Sequence, residues 1–186
     1  ARLGARVTGL DLSDGSIAKA QQLATQCGLP ARFITGNVLE RQPALEHAFD
    51  VVFSSYGTIG WLPVLDGWAR NIAAYLKPGG LFVFAEFHPA VWMFNNDFTA
   101  VAYSWFNRET IEELETGSYA DRQASVKLPS FSWNHPLSDV LQNLLDAGLR
   151  LEVFREFDRS PYDCFRHTVP TPDGQFMIRG MEGKLP

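Results

Sequence analysis

Asp11 is the residue of this 186-residue sequence best placed for chemistry. It closes the apolar run in VTGLDLS, Val7 to Ser13, and a segment of helical spacing follows. A carboxylate at the carboxyl end of a buried strand can accept hydrogen bonds from both hydroxyls of a ribose. The same carboxylate can simply start a turn before a helix. Glu86 and His88 stand at the end of another apolar run, LFVFAEF, and ligands of open α/β sheets bind at such strand ends. His88 is therefore a candidate general base, against the structural role common for a loop histidine beside a proline, here Pro89. Trp92, Tyr103, Trp105, Tyr119 and Trp133 follow it and form either a lid over a substrate or the core of their own segment. Glu109, Glu112, Glu113 and Glu115 read as a solvated helical face.

The elements that would position these residues alternate. Ala5 to Asp11 reads as a strand, and Ile17, Ala20, Leu23, Ala24 and Cys27 recur at helical spacing before Gly28 and Pro30. Ala31 to Thr35 is a second strand. FDVVFS, Phe49 to Ser54, is a third, continuously apolar as strands buried on both faces are. Val64, Leu65, Trp68, Ile72, Tyr75 and Leu76 share a helical face, which KPGG, Lys77 to Gly80, should end with a turn. Leu81 to Phe87 is a fourth strand. This alternation predicts an α/β fold: a mostly parallel sheet with helices on both faces. The period is lost between residues 89 and about 133, as in a functional loop or insertion. It returns in NHPLSDVLQNLLDAGL, with Asn134 or His135 as cap, Leu137, Val140, Leu141, Leu144 and Leu145 as buried face, and Gly148 as stop. LRLEVFREF alternates like a strand, and the tail from Ser160 is loop-like with TPDG as a turn.

Composition narrows the function classes. Hydrophobic residues at 46% and charged residues at 20% suit one globular domain with a sizeable core. A net charge of −5 argues against a nucleic-acid partner, whose phosphates call for basic patches. Cys27 and Cys164 are too few for a disulfide framework, and no cluster has metal-ligand spacing. A reduced, cytoplasmic setting is expected, with no membrane span and no metal.

VTGLDLS, FITGNVLE, FDVVFSSYGTIGWL and LKPGGLFVFAEFH resemble, in order and spacing, the class I S-adenosylmethionine-dependent methyltransferases. LKPGG before an apolar strand is the most specific piece, and the strong resemblance covers about residues 1 to 88. It implies a Rossmann-like three-layer sandwich and S-adenosyl-L-methionine as cofactor. It assigns the ribose hydroxyls to Asp11 and places Leu12 near the adenosine and Val38 beside the adenine. Asn37 stands where the family usually has Asp, at the adenine amino group; its side-chain carbonyl still accepts a hydrogen bond but carries no charge. Ser54 and Ser55 match the turn that meets the methionine part. Tyr56 and Trp61 would wall the methyl-transfer pocket or pack in the core. Tyr56, His88, Trp92 and Tyr119 are the candidate substrate residues. The family's glycine-rich loop should lie about 20 residues before Asp11, yet ten residues precede it. ARLGA resembles the end of the helix after such a loop, and GKLP stops where one more strand is expected. The sequence is thus expected to lack the first strand with its loop, and the last strand.

The resulting expectation is a single domain over residues 1–186, with 89–133 covering the substrate. Its reaction is an in-line displacement in which an N, O, C or S atom of a small, partly apolar acceptor attacks the sulfonium methyl. An NAD(P)-dependent oxidoreductase also uses a strand-end acid, but LKPGG and the absence of a Tyr-x-x-x-Lys pair count against it. A non-catalytic binding or interaction domain on a methyltransferase-like fold is the third alternative. Substrate and oligomeric state are not legible.

Overall fold

A computed structural model describes residues 1–117 and 124–186. They gather into two compact units, one of residues 1–52 and 64–82, the other of 53–63 and 83–186.

In the first unit, β1 (Val7–Asp11) and β2 (Ala31–Thr35) pair in parallel, Val7 opposite Ala31 and Asp11 opposite Thr35. Parallel neighbours need a crossover, and α1 (Asp14–Gln26) supplies it. Ser13 caps α1, its Oγ accepting from the Ser16 N–H at 3.2 Å, and Asp14 complements the helix N-terminus. α1 has no fully buried residue, and Leu23 on its apolar stripe is 61% exposed.

The second helix, α2 (Asp66–Tyr75), is the best buried. Trp68, Ala69, Ile72 and Tyr75 are covered, with Leu65 and Leu76 flanking, while Val64 stays exposed. Leu45, Ala74 and Tyr75 form a core cluster against Leu10, Ile34, Phe49 and Val52. Polar groups tie the chain after β2 to this helix. Asn71, buried, donates from Nδ2 to the Val38 carbonyl at 2.9 Å. The Tyr75 hydroxyl accepts from the Gln42 N–H at 2.9 Å and donates to the Glu40 carbonyl. Gly67 permits the approach, because a Cβ there would stand 2.9 Å from the Leu39 carbonyl oxygen.

β3 (Phe49–Ser55) and β4 (Leu76–Ala85) form a two-stranded sheet. Two expectations fail here. β3 is not buried on both faces: Val51 and Phe53 are 53% and 62% exposed, since β4 is its only ladder partner among the described residues. KPGG is not a turn but lies at the start of β4, where Lys77 Nζ meets Asp50 Oδ1 of β3 at 2.8 Å. The helix accordingly ends at Tyr75.

The second unit carries a short 3-10 turn (Pro89–Met93) and the antiparallel pair β5 (Ile111–Thr116) and β6 (Lys127–Ser132). The acidic stretch expected as a helical face is therefore strand from Ile111, where pairing with β6 satisfies its backbone and overrides helical spacing. α3 (Leu137–Asp146) buries only Val140 completely; Leu145 is 47% exposed. Arg108 pairs with Asp139 of this helix. LRLEVFREF is not a strand: no ladder partner reaches it among the described residues, and Leu151, Val153, Phe154 and Phe157 are exposed. The tail instead forms the antiparallel pair β7 (Thr168–Pro170) and β8 (Phe176–Ile178) around TPDG, closed by the Gly174 N–H on the Thr171 carbonyl at 3.0 Å. In place of one mostly parallel sheet, the described residues form four two-stranded sheets, of which β1–β2 is parallel and β5–β6 and β7–β8 antiparallel.

Tyr75→Phe keeps the ring in the cluster but removes the acceptor of the Gln42 N–H. Stability should fall by about 1–3 kcal/mol, the cost of an unsatisfied buried donor. A urea titration should show a lower midpoint with an unchanged slope.

Candidate functional site

In the first unit the parallel register brings two polar residues to one sheet edge. Asp11 ends β1, and Asn37 lies two residues past Thr35, the partner of Asp11. The Gly36 N–H donates to the Asp11 carbonyl at 2.9 Å and continues the ladder to that edge. The Asp11 side chain is exposed, and its Oδ1 accepts from the Ser13 N–H at 2.8 Å. It is thus a turn former before α1, and a carboxylate with about four lone-pair sites keeps acceptor capacity beyond that one bond. Leu12 beside it is 72% exposed. Asn37 closes a turn of its own, its Oδ1 accepting from the Leu39 N–H at 3.0 Å while Nδ2 faces Glu40 Oε1 at 3.5 Å. Val38 is half-buried, its carbonyl held by Asn71.

In the second unit Ser54 and Ser55 end β3, half-buried, and the Tyr56 N–H donates to the Ala85 carbonyl of β4 at 2.7 Å. The turn that follows closes on Glu86. The carboxylate accepts from the N–H groups of Gly57, Ile59 (3.3 Å) and Phe87 (2.8 Å). Gly57 adopts φ +85°, a left-handed conformation that a side chain would strain, and Thr58 Oγ1 donates to the Ser55 carbonyl at 2.6 Å.

His88 has both ring nitrogens engaged. Nδ1 accepts from the Ala90 N–H at 3.2 Å and caps the 3-10 turn, and Nε2 meets Glu156 Oε1 at 2.9 Å. This pattern fixes the Nε2–H tautomer of the neutral ring and ties the irregular 149–157 segment to the end of β4.

Trp92 packs edge-on against Phe87 and Phe165, with ring centroids 5.6 and 5.7 Å apart. Phe87 also meets Tyr56 at 6.0 Å and Tyr162 at 6.2 Å. Tyr119 lies outside the described residues. Tyr162 and Phe165 belong to this aromatic cluster, although sequence reasoning passed over SPYDCF as loop; the one signal was two rings three residues apart. The Tyr162 hydroxyl is pushed up from its ordinary pKa by burial first, then by the neighbouring Cys164, Glu86 and Tyr56.

His135 does not cap α3. Pro136 takes the cap position without a side-chain bond, and His135 Nε2 donates to the Leu62 carbonyl at 2.8 Å. Asn134 likewise turns away and donates to the Trp92 carbonyl at 3.1 Å. Burial holds the His135 pKa below the ordinary histidine value, outweighing the hydrogen bond to Leu62.

Comparisons with known proteins agree on the kind of domain. Residues 1–80 match the family described as a methyltransferase domain. A ubiquinone biosynthesis O-methyltransferase of Paramagnetospirillum magneticum is 35% identical over 83 residues, 45% of this chain and 32% of that protein. A sterol 24-C-methyltransferase of Pneumocystis carinii is 35% identical over 85 residues, 45% of this chain and 22% of that protein. The chain spans under half the length of the curated relatives it matches. Among solved structures, an S-adenosylmethionine-dependent methyltransferase from Clostridium acetobutylicum aligns with 92% of this chain and 73% of its own, at TM-score 0.57 and 14% identity, a likeness of fold.

The depressed pKa of His135 has a definite sign in stability. The unfolded chain takes up the proton first, near pH 6.5, so the contribution is present above that pH and is lost as pH falls toward the folded value. Melting temperature should therefore drop more steeply between pH 7 and 5 in the wild type than in His135→Gln. Parallel curves would remove His135 as the cause.

Proposed function

We propose that this chain, whose first 80 residues match a methyltransferase domain family, is a class I S-adenosylmethionine-dependent methyltransferase and transfers a methyl group to a small-molecule acceptor by in-line displacement. The observation that carries the proposal is the β1–α1–β2 unit, whose parallel register sets Asp11 and Asn37 on one edge. It also supports the Rossmann-like three-layer reading.

These residues fit the cofactor of the family. Asp11 would accept from the ribose hydroxyls with the capacity left beside its bond to Ser13. Asn37 Oδ1 has a second lone pair for the adenine amino group while the first stays on Leu39. Leu12 and Val38 would flank the base, and Ser54 and Ser55 would meet the amino-acid end. When bound, the cofactor supplies an activated sulfonium methyl, so this chain's task is to hold the reactants in line and exclude water. A base is required only for an acceptor that must lose a proton, and His88 would first have to release Ala90 or Glu156 to serve.

A small, partly apolar acceptor is supported by the net charge of −5 and by the aromatic cluster of Tyr56, Phe87 and Trp92. Segment 89–133, with Trp92 and Tyr119, is the proposed cover. One matched relative is named for O-methylation and the other for C-methylation, so the acceptor atom is left open. A cytoplasmic setting is proposed on two cysteines that form no disulfide. No helix among the described residues is long and apolar enough to cross a membrane.

Asp11→Ala should weaken S-adenosylmethionine binding by about 1.5–3 kcal/mol, the range for hydrogen bonds to a charged group. Titration calorimetry returning wild-type affinity would overturn the ribose assignment. Asn37→Ala should abolish discrimination between S-adenosylmethionine and an analogue with hydrogen in place of the adenine amino group. Unchanged discrimination would leave Asn37 as a turn residue alone.

A further inference from the structure

We infer that Glu86 is a positioning residue for the amino-acid end of the cofactor, acting through the turn that follows β3. The inference rests on the methyltransferase reading and adds to it a residue outside the family assignments made above.

One carboxylate gathers three backbone N–H groups, those of Gly57, Ile59 and Phe87. Two of them belong to the turn after β3 and one to the end of β4, so Glu86 pins the turn to its own strand end. Ile59 is buried, and its N–H would have no water to turn to without this acceptor. An ionised carboxylate offers only acceptors, which is what three converging N–H groups require, and charge-assisted bonds of this kind are about twice as strong as neutral ones. The turn has a second constraint in Thr58 Oγ1 on the Ser55 carbonyl, and a third in the left-handed Gly57. Ser54 and Ser55 are the residues immediately upstream. Their placement follows from a turn that Glu86 closes from the inside, without Glu86 itself touching the ligand.

The probes are S-adenosylhomocysteine, which carries the amino-acid end, and methylthioadenosine, which keeps the adenosine and lacks that end. In the full chain, Glu86→Ala should weaken S-adenosylhomocysteine about tenfold, which is about 1.4 kcal/mol. Methylthioadenosine affinity should stay unchanged. Glu86→Gln should fall between wild type and Glu86→Ala: its amide oxygen can serve Gly57 and Phe87, but its NH2 opposes the Ile59 N–H. This variant decides the question if Glu86→Ala does not fold. Equal losses for both ligands, or wild-type affinities for both in Glu86→Gln and Glu86→Ala, overturn the inference. Wild-type protein that binds neither ligand overturns the methyltransferase reading as well, and so is distinct from failure of Glu86 alone.

Discussion

The parallel pairing of β1 with β2 is the constraint on which the proposed cofactor residues depend. Parallel strands require a connection that returns to the same end, and α1 provides it, started by Ser13 and Asp14. Once that crossover is fixed, the carboxyl ends of both strands lie on one edge. Asp11 ends one strand there, and Asn37 lies two residues past the end of the other. A one-residue slip in register would invert every side chain of one strand, and Leu10 and Ile34, which pack on the Leu45–Tyr75 cluster, resist it.

Both units use side chains to hold loop backbone at strand ends. After β2, Asn71 and Tyr75 of α2 take the Val38 carbonyl and the Gln42 N–H. After β3, Glu86 takes the N–H groups of Gly57 and Ile59. In each case the polar group lies far along the sequence from the loop it holds, and the loop carries residues assigned to the cofactor. Loops held this way are pre-ordered before a ligand arrives, which reduces the entropy lost on binding.

Elements whose signal is local were legible in the sequence. β1, α1 and β2 lie where apolar spacing puts them, α2 keeps the Trp68, Ile72 and Tyr75 face while Leu76 passes to β4, and the strand-end acid was visible in VTGLDLS. What failed depends on partners. LRLEVFREF alternates as a strand should, but a strand exists only where another pairs with it, and none does among the described residues. The glutamates before Gly117 have helical spacing, yet β6 captures Ile111–Thr116 by its backbone. KPGG reads as a stop signal, yet it belongs to β4, which pairs with β3. His135 was misjudged for the same reason: its partner, Leu62, lies 73 residues away.

The arrangement also bears on how much chemistry the chain must provide. His88, the basic side chain just past β4, is committed on both nitrogens to backbone and to Glu156. Glu86, the acid beside it, is committed to three N–H groups. Groups satisfied in this way are poor proton acceptors until a partner leaves. They are good fixed points, because each bond they make defines where a loop can stand. Under the proposed methyl transfer, whose cofactor arrives already activated, the side chains at the strand ends would work as anchors, and the demand on them would be geometric.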